Sequence, residues 1–531
     1  MTNMLDFITN LYRKNPHPLA QQSGVTQFLE ELPADNPAMA LVELTHRLFA
    51  LSNTEKVNLK ERVKRLARID QSAQKYEHAL RRRYAETSRM RKATEARIWN
   101  ASFNFLEALI NAQLHCIASL PQKGEHNDQD LAIALMRAIR LLDLQAHWLH
   151  LRYRPISLAL WERIFSVIKV AEERALLHLP LTLNHTKVQT TVAQEMLKLL
   201  MMSVASPAHL TKTRIDLAHL LTQHLAGAFC WEVLPNGSTV FHVDFSKPRT
   251  PAQLAKVSER PFMSRCFSAG EAIGALAVGL KQLEQGSVPT SLGAIDFSNY
   301  QPDDLLAVAA HLSQCWGKMD VHNEQLHFDM HPAKQAQAFY RITVAHGLNF
   351  LYEHFTPTLQ STLTPSTHHA RDETESWVVE NISQMGYGVT LASLKEDWVQ
   401  NHVVIGIQPD AAPWQIGVIR SVTSASAGNT HAGIQILSNQ PHTALLRPLD
   451  SEMTIEETAA DPQPYPHTPG IFMHREPPYQ NEESILLASG SYQLHRTYAM
   501  AIGEVERFIR LQDRSNAFQG VDQIIFTDVK S

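Results

Sequence analysis

The sequence predicts a multidomain α+β protein in which an all-α N-terminal module precedes an antiparallel β-barrel and a C-terminal β-rich unit. Three observations carry this prediction. Up to about residue 225, apolar residues recur at spacings of three and four; between 377 and 437 they alternate in short runs divided by turn residues; and past 470 further short apolar runs end the 531-residue chain. The length fits about three or four domains. With 44% hydrophobic and 19% charged residues, each can bury a core.

Residues 1–225 read as the helical module. Phe103, Leu106, Ile110 and Leu114 share one helical face, as do Leu131, Leu135, Ile139 and Leu142, and then Met196, Leu199 and Met202. Pro180 and Pro207 break the pattern, and Ser206-Pro207 opens a helix running around Leu210 to Leu225. Trp148, Trp161 and Phe165 are expected as core anchors rather than as a ligand cage. Residues 226–325 mix helical and strand patterns. Cys230–Leu234 and Thr239–Val243 flank Pro235-Asn-Gly237 and read as a hairpin, with two helices following near Ala269–Leu283 and Pro302–Trp316. The barrel is assigned to residues 326–449, an acidic, Thr- and Pro-rich linker to 450–470, and the β-rich unit to 471–531, with strands at Ser484–Ala488, Val505–Arg510 and Asp522–Thr527. No internal repeat of fixed period is visible.

The net charge of −5 conceals an asymmetry. Lys56–Arg97 holds 14 Lys and Arg against 5 Asp and Glu, a local +9 that leaves −14 for the remainder. Such a segment can dock an acidic protein partner, present a solvated helix face, or meet the chain's own acidic excess. Nucleic acid is a poor fit, because Tyr76 and Tyr84 are its only aromatics and it matches no nucleic-acid motif. Apolar runs stay below the roughly 18 residues of a membrane span, and Met1–Phe7 lacks the pattern of a signal peptide, so a cytoplasmic protein is expected. Cys116, Cys230, Cys266 and Cys315 form no Cys-x-x-Cys pair and read as reduced, mostly buried thiols.

Nothing in the chain points to catalysis. A serine on a Gly-x-Ser-x-Gly elbow, a Gly-x-x-x-x-Gly-Lys-Ser/Thr loop and a Gly-x-Gly-x-x-Gly turn are all absent from the sequence. Of its 27 histidines, His327 with His331 and His147 with His150 have helical ligand spacing, but without the Glu or Cys partners of a metal site. A non-enzymatic protein is expected, with no metal and no cofactor.

The most informative stretch is Trp377–Leu391, where a polar Asn-x-Ser-x-x-Gly insert, Asn381, Ser383 and Gly386, joins two alternating apolar runs. Gly386 and Gly388 permit either positive φ or a close backbone approach. Asn381 and Ser383 place an amide and a hydroxyl at a strand end, where they either bond a ligand's edge or hold a bulge or turn through backbone contacts. His402–Gln408, Trp414–Arg420 and Ala432–Leu437 then read as an antiparallel meander.

This order resembles the PilZ domain, the small barrel through which many bacterial proteins sense cyclic di-GMP. The likeness spans roughly 326–447 and rests on Asn381, Ser383 and Gly386, on Gly417–Arg420 and on the closing Gly433–Leu437. Trp148–Pro155 and Trp161–Glu172 also resemble a helical region found ahead of PilZ-like domains in a group of proteobacterial proteins, a likeness that extends through Ser203–Pro207. In the family an Arg-x-x-x-Arg segment before the barrel grips phosphates and guanines. This chain departs from it: His327-Phe-Asp-Met-His331 stands in the expected place, and Gln337–Arg341 keeps one arginine. A neutral imidazole cannot replace the fork of a guanidinium, and two lost charge-assisted contacts of about 1.5 to 3 kcal/mol each weaken binding by roughly two to four decades.

Two readings stay open on this basis. The resemblance implies a cyclic di-GMP effector with Asn381, Ser383 and Gly386 at the guanine edge and Arg341 or Arg371 on phosphate. The missing arginines point instead to a degenerate barrel that binds no nucleotide and serves as a protein–protein interaction module.

Overall fold

Helix formation at the N-terminus follows the periodicity, and local capping sets several boundaries. The computed structural model describes residues 22–52, 59–87, 90–119, 128–182, 189–236, 239–254, 264–287, 289–292, 297, 300–317, 336–355, 374–383, 385–391, 398–409, 412–424, 430–449 and 467–529. They fall into two units, Met1–Met319 with Lys395–Trp398, and Asp320–Leu394 with Val399–Ser531. Among the described residues the first unit opens with α1 (Gln22–Glu30), α2 (Pro37–Ser52), α3 (Leu59–Glu86), α4 (Lys92–Ala118), α5 (Asp128–Leu151) and α6 (Leu158–Glu173). A two-strand ribbon, β1 (Leu181–Thr182) with β2 (Gln189–Thr190), leads to α7 (Val192–Val204) and α8 (Lys212–His224). Ser157 caps α6, Thr211 caps α8, and Thr191 with Gln194 forms a capping box on α7. Ser206-Pro207 therefore does not open the helix directly; Ser206 has φ +49°, Pro207–His209 makes a single 3₁₀ turn, and α8 starts after Thr211.

Helix α5 is buried on nearly every face and packs on α4, α6, α7 and α8. Trp148, Trp161 and Phe165 are core residues, at 0%, 1% and 5% exposure. One arginine of the basic segment, Arg81, is answered from within, while two of the segment's acids, Asp70 and Glu95, pair with arginines from outside it. Arg81 lies between Glu77, at 3.3 Å, and Asp216 of α8; Arg137 reaches Asp70 at 3.5 Å, and Arg152 reaches Glu95 at 3.0 Å. Arg81, buried in this pair, therefore cannot belong to a docking surface; in the same run Arg82, paired with Glu86 at 2.6 Å, and Arg83 are exposed. Cys116 and Cys266 are buried and Cys230 and Cys315 half-buried, all four as free thiols; burial pushes Cys116 and Cys315 up to about 11.

The expected hairpin after residue 229 does not form. β3 (Cys230–Glu232) and β4 (Phe241–Asp244) lie on either side of β6 (Ser264–Ser268), with β5 (Ala252–Gln253) outside β4. The Asn-Gly signal describes a turn but not which strand pairs across it. Helices α9 (Ala272–Glu284) and α10 (Pro302–Trp316) follow, as read from the sequence.

The second unit holds two closed antiparallel barrels. The first comprises β7 (Ala336–His346), β8 (Thr374–Ser383), β9 (Gly386–Leu391), β10 (Val404–Pro409), β11 (Gln415–Ser424) and β12 (Thr430–Ser438), with α11 (Leu348–Phe355) after β7. The second comprises β13 (His442–Pro448), β14 (Thr468–Met473), β15 (Ser484–Ala488), β16 (Thr497–Ile502), β17 (Val505–Ala517) and β18 (Val521–Asp528). In both, the strands pair in one scheme: first with second, second with third, third with sixth, sixth with fifth, fifth with fourth, and fourth back to first. The second barrel repeats the topology of the first. Residues 442–448, assigned from sequence to the first barrel, thus open the second, and Thr468–Gly470 of the expected linker lie in β14. Ala444 and Leu446 alternate as any barrel strand does, so their pattern cannot say which barrel they close.

The barrels dock on each other through an apolar layer of Val404, Ile416, Val418 and Leu437 from the first and Ile471, Met473, Leu486 and Phe518 from the second. On β14 and β15 the alternate residues Phe472, Ile485 and Leu487 fill the second barrel's own core, so Ile471, Met473 and Leu486 point outward. Among the described residues no helix is long and apolar enough to cross a membrane.

Candidate functional site

The Asn-x-Ser-x-x-Gly segment is the turn of the β8–β9 hairpin, closed by the Ser383–Gly386 pair. Ser383 Oγ donates to the Gly386 carbonyl at 3.3 Å. Three outward rows cross β8, β9, β12 and β11. The first is Val378, Thr390, His431 and Thr423; the second Asn381, Gly388, Gly433 and Ser421; the third Ser383, Gly386, Gln435 and Val418. Between them lie the buried rows of the core, among them Val379, Val389, Ala432 and Val422. Alternation along each strand therefore puts Asn381, Ser383 and Gly386 on the outer wall, in rows about 7 Å apart.

Glycine serves close approach here. Neither Gly386 nor Gly388 has positive φ. A Cβ on Gly388 would come 2.2 Å from Asn381 Oδ1, and one on Gly433 2.6 Å from Ser421 Oγ. The Asn381 amide and Ser421 hydroxyl thus lie down on the sheet in space that side chains would fill. Both residues are only half-buried, and among the described residues neither polar group has a hydrogen-bond partner. Gly386 is tighter still, since its Cβ would meet the Ile434 carbonyl oxygen at 1.8 Å.

Bulges flank this wall on both outer strands, at Glu380 in β8 and at Arg420 in β11. Glu380 accepts from Thr390 Oγ1 at 2.5 Å and lies 3.4 Å from His431 Nδ1, which places a carboxylate beside the first row. Arg341 is exposed on β7 opposite Val378, in that same first row, with Nη1 3.5 Å from Ser376 Oγ. It is one row from Asn381. Arg371 and the His327–His331 segment lie outside the described residues. Sequence reasoning missed Ser421, Gln435 and Arg420, which reach the motif only across β12 and β11; their approach depends on strand register and leaves no local signature.

The corresponding hairpin of the second barrel carries no such motif. Between β14 and β15 stands a longer loop, whose Glu476 accepts from Asn439 N at 3.0 Å and Ser438 Oγ at 3.2 Å. The outer wall of that strand pair is the apolar docking layer described above. Fold and site together define a protein with a helical module and two barrels of one topology, the first bearing the Asn-x-Ser-x-x-Gly motif on its outer wall.

Residues 23–233 match a family model described as the N-terminal domain of the cyclic-di-GMP receptor FimW. The match covers the helical module from α1 through β3. Comparison with curated proteins and with solved structures gave no significant match.

Proposed function

We propose that the chain is a non-enzymatic cyclic di-GMP effector whose ligand lies on the outer wall of the first barrel, with Asn381, Ser383 and Gly386 at the guanine edge. The observation that carries this reading is the pair of unpartnered polar groups, Asn381 and Ser421, laid on a wall of three glycines, on a chain whose helical module matches a cyclic-di-GMP receptor domain. A flat polar wall lets an aromatic base approach the backbone, and the amide can read a base edge. Arg341, one row away, is the residue we assign to a phosphate.

Calorimetric titration of the full chain with cyclic di-GMP tests the reading directly. Asn381→Ala and Ser383→Ala should each weaken binding by about 1 to 3 kcal/mol through loss of a buried partner in the complex. Their melting temperatures should stay close to that of the unchanged chain. No heat of binding, or equal affinity in both variants, would remove the ligand from this wall and favour the interaction-module reading.

That second reading draws on the second barrel, where the corresponding wall packs against the first barrel of the same chain. A partner reached through the basic helix α3 would use Arg82 and Arg83, not Arg81. Such binding should fall between about 50 and 300 mM salt as the Debye length shortens below roughly 10 Å. Changing Arg82 and Arg83 to Gln should have the same effect, with the α-helical circular dichroism unchanged. A captured partner indifferent to both treatments docks elsewhere.

A further inference from the structure

We propose that Glu380 is the residue that selects guanine on this wall, its carboxylate accepting from the N1–H and N2–H₂ groups of the base. The inference rests on the cyclic di-GMP reading above and adds to that site the residue just ahead of the Asn-x-Ser-x-x-Gly motif. Glu380 is the extra residue of the β8 bulge, between Val379 and Asn381. A bulge re-aims a side chain and interrupts the alternation of its strand. The contacts of the carboxylate show which way it turns. Thr390 Oγ1 donates to Glu380 Oε1 at 2.5 Å, and His431 Nδ1 lies 3.4 Å from Oε2; Thr390 and His431 both belong to the first outward row. Glu380 and Asn381 thus present a carboxylate and an amide to the same outer face, over adjacent rows.

These two groups complement the two ends of guanine. The base carries acceptors at O6 and N7 and donors at N1 and N2. An amide can donate to the first pair, and an ionised carboxylate, which only accepts, fits the second. Adenine has a lone pair on N1 and a C–H at position 2, so a carboxylate there meets an acceptor and no donor. Glu380 has capacity for the contact: of about four lone-pair sites, Thr390 takes one and His431 at most one more, and the side chain is 40% exposed. Thr390 Oγ1 itself lies 2.8 Å from His431 Nδ1, so the carboxylate is held in place before a ligand arrives. Gly388 and Gly433, in the neighbouring row, leave the wall low beside it. The carboxylate is also kept apart from the phosphate assigned to Arg341, because β7 and β9 are two strands, roughly 10 Å, from each other. That is about one Debye length at ordinary salt.

The test is titration of the full chain with cyclic di-GMP, its hypoxanthine analogue cyclic di-IMP, and cyclic di-AMP, comparing the unchanged protein with Glu380→Gln and Asn381→Ala. Hypoxanthine keeps N1–H and lacks the 2-amino group; adenine lacks both donors. Glutamine keeps the length of the side chain and still accepts from Thr390, so this half-exposed variant is expected to fold. The unchanged chain should prefer cyclic di-GMP to cyclic di-IMP about tenfold, and bind cyclic di-AMP more weakly still. Glu380→Gln should weaken cyclic di-GMP roughly tenfold to a hundredfold and leave cyclic di-AMP as it was, so the preference for guanine narrows. If Asn381→Ala weakens binding while Glu380→Gln stays within about twofold, or lowers all three ligands equally, the assignment of Glu380 is overturned and the wall stands. If the unchanged chain binds none of the three, or Asn381→Ala binds cyclic di-GMP as tightly as the unchanged chain, the wall and the carboxylate fall together.

Discussion

Asp216→Ala is expected to destabilise the helical module by about 3 to 5 kcal/mol, because it removes one partner from a buried charged cluster and strands the others. Asp216 takes the Arg81 guanidinium and the Tyr300 hydroxyl, the latter at 3.0 Å, and its Oδ1 lies 3.0 Å from His147 Nε2. His147 stacks on His219 at 4.0 Å, and His219 meets Asp143 at 2.9 Å. Burial alone would raise Asp216, but Arg81, His147 and His219 outweigh it and hold the carboxyl well below its usual range. Denaturant titration followed by helical circular dichroism measures the loss; a change below about 1 kcal/mol would mean that the cluster is solvated.

The same cluster predicts acid sensitivity. Burial, with the neighbouring His219 adding to it and Asp216 opposing, pushes His147 down to about 3 from 6.5. The unfolded chain takes up this proton below about 6.5 while the folded one does not until about 3. Stability from His147 is therefore complete above 6.5 and declines as pH falls toward 3, by about 1.4 kcal/mol per pH unit. The contribution of Asp216, depressed below its unfolded value of 3.8, is lost only at lower pH still. In His147→Gln the stability slope between pH 6 and 4 should flatten by about this amount.

The second large effect separates two glycines of one motif. Gly386→Ala should cost about 3 kcal/mol, because the new methyl meets backbone, the Ile434 carbonyl, and the β9–β12 pair must part to admit it. The nearest atoms that Gly388→Ala meets are those of the Asn381 side-chain amide, which can rotate aside. Stability should then change by less than about 1 kcal/mol, while cyclic di-GMP affinity falls about as far as in Asn381→Ala. Denaturation and titration on the same samples distinguish the outcomes. A Gly388→Ala protein that binds like the unchanged chain would show that Asn381 does not read the ligand.

The helices were legible where their period and caps are local: Thr191 with Gln194 and the apolar spacing of α7 lie within a dozen residues of each other. So was the β8–β9 hairpin, whose turn and partner strands are contiguous, and so were the three strands that follow it. Asn381, Ser383 and Gly386 could be placed together for the same reason. The hairpin at Pro235–Gly237 was misread because β6, more than 20 residues on, takes the pairing edges of both strands. Strand β13 went to the wrong barrel because its partners are β14 and β16, and alternation carries no address. The duplicated barrel escaped notice altogether, since topology repeats in it while the motif does not.

What the sequence by itself determined is thus the local chemistry: which segments coil, which extend, where an amide, a hydroxyl and a glycine meet at one turn, and how much positive charge gathers near α3. Those properties depend on neighbours a few residues away. Only the tertiary structure decided that Arg81 is spent on Asp216, 135 residues distant, that Arg420 donates to Gln435, opposite Gly386, and that the second barrel's equivalent wall is apolar and covered. Each of these follows from strand register or helix packing, where a side chain's partner is set by the closure of a whole barrel or bundle, and a shift of one residue would turn it to the opposite face.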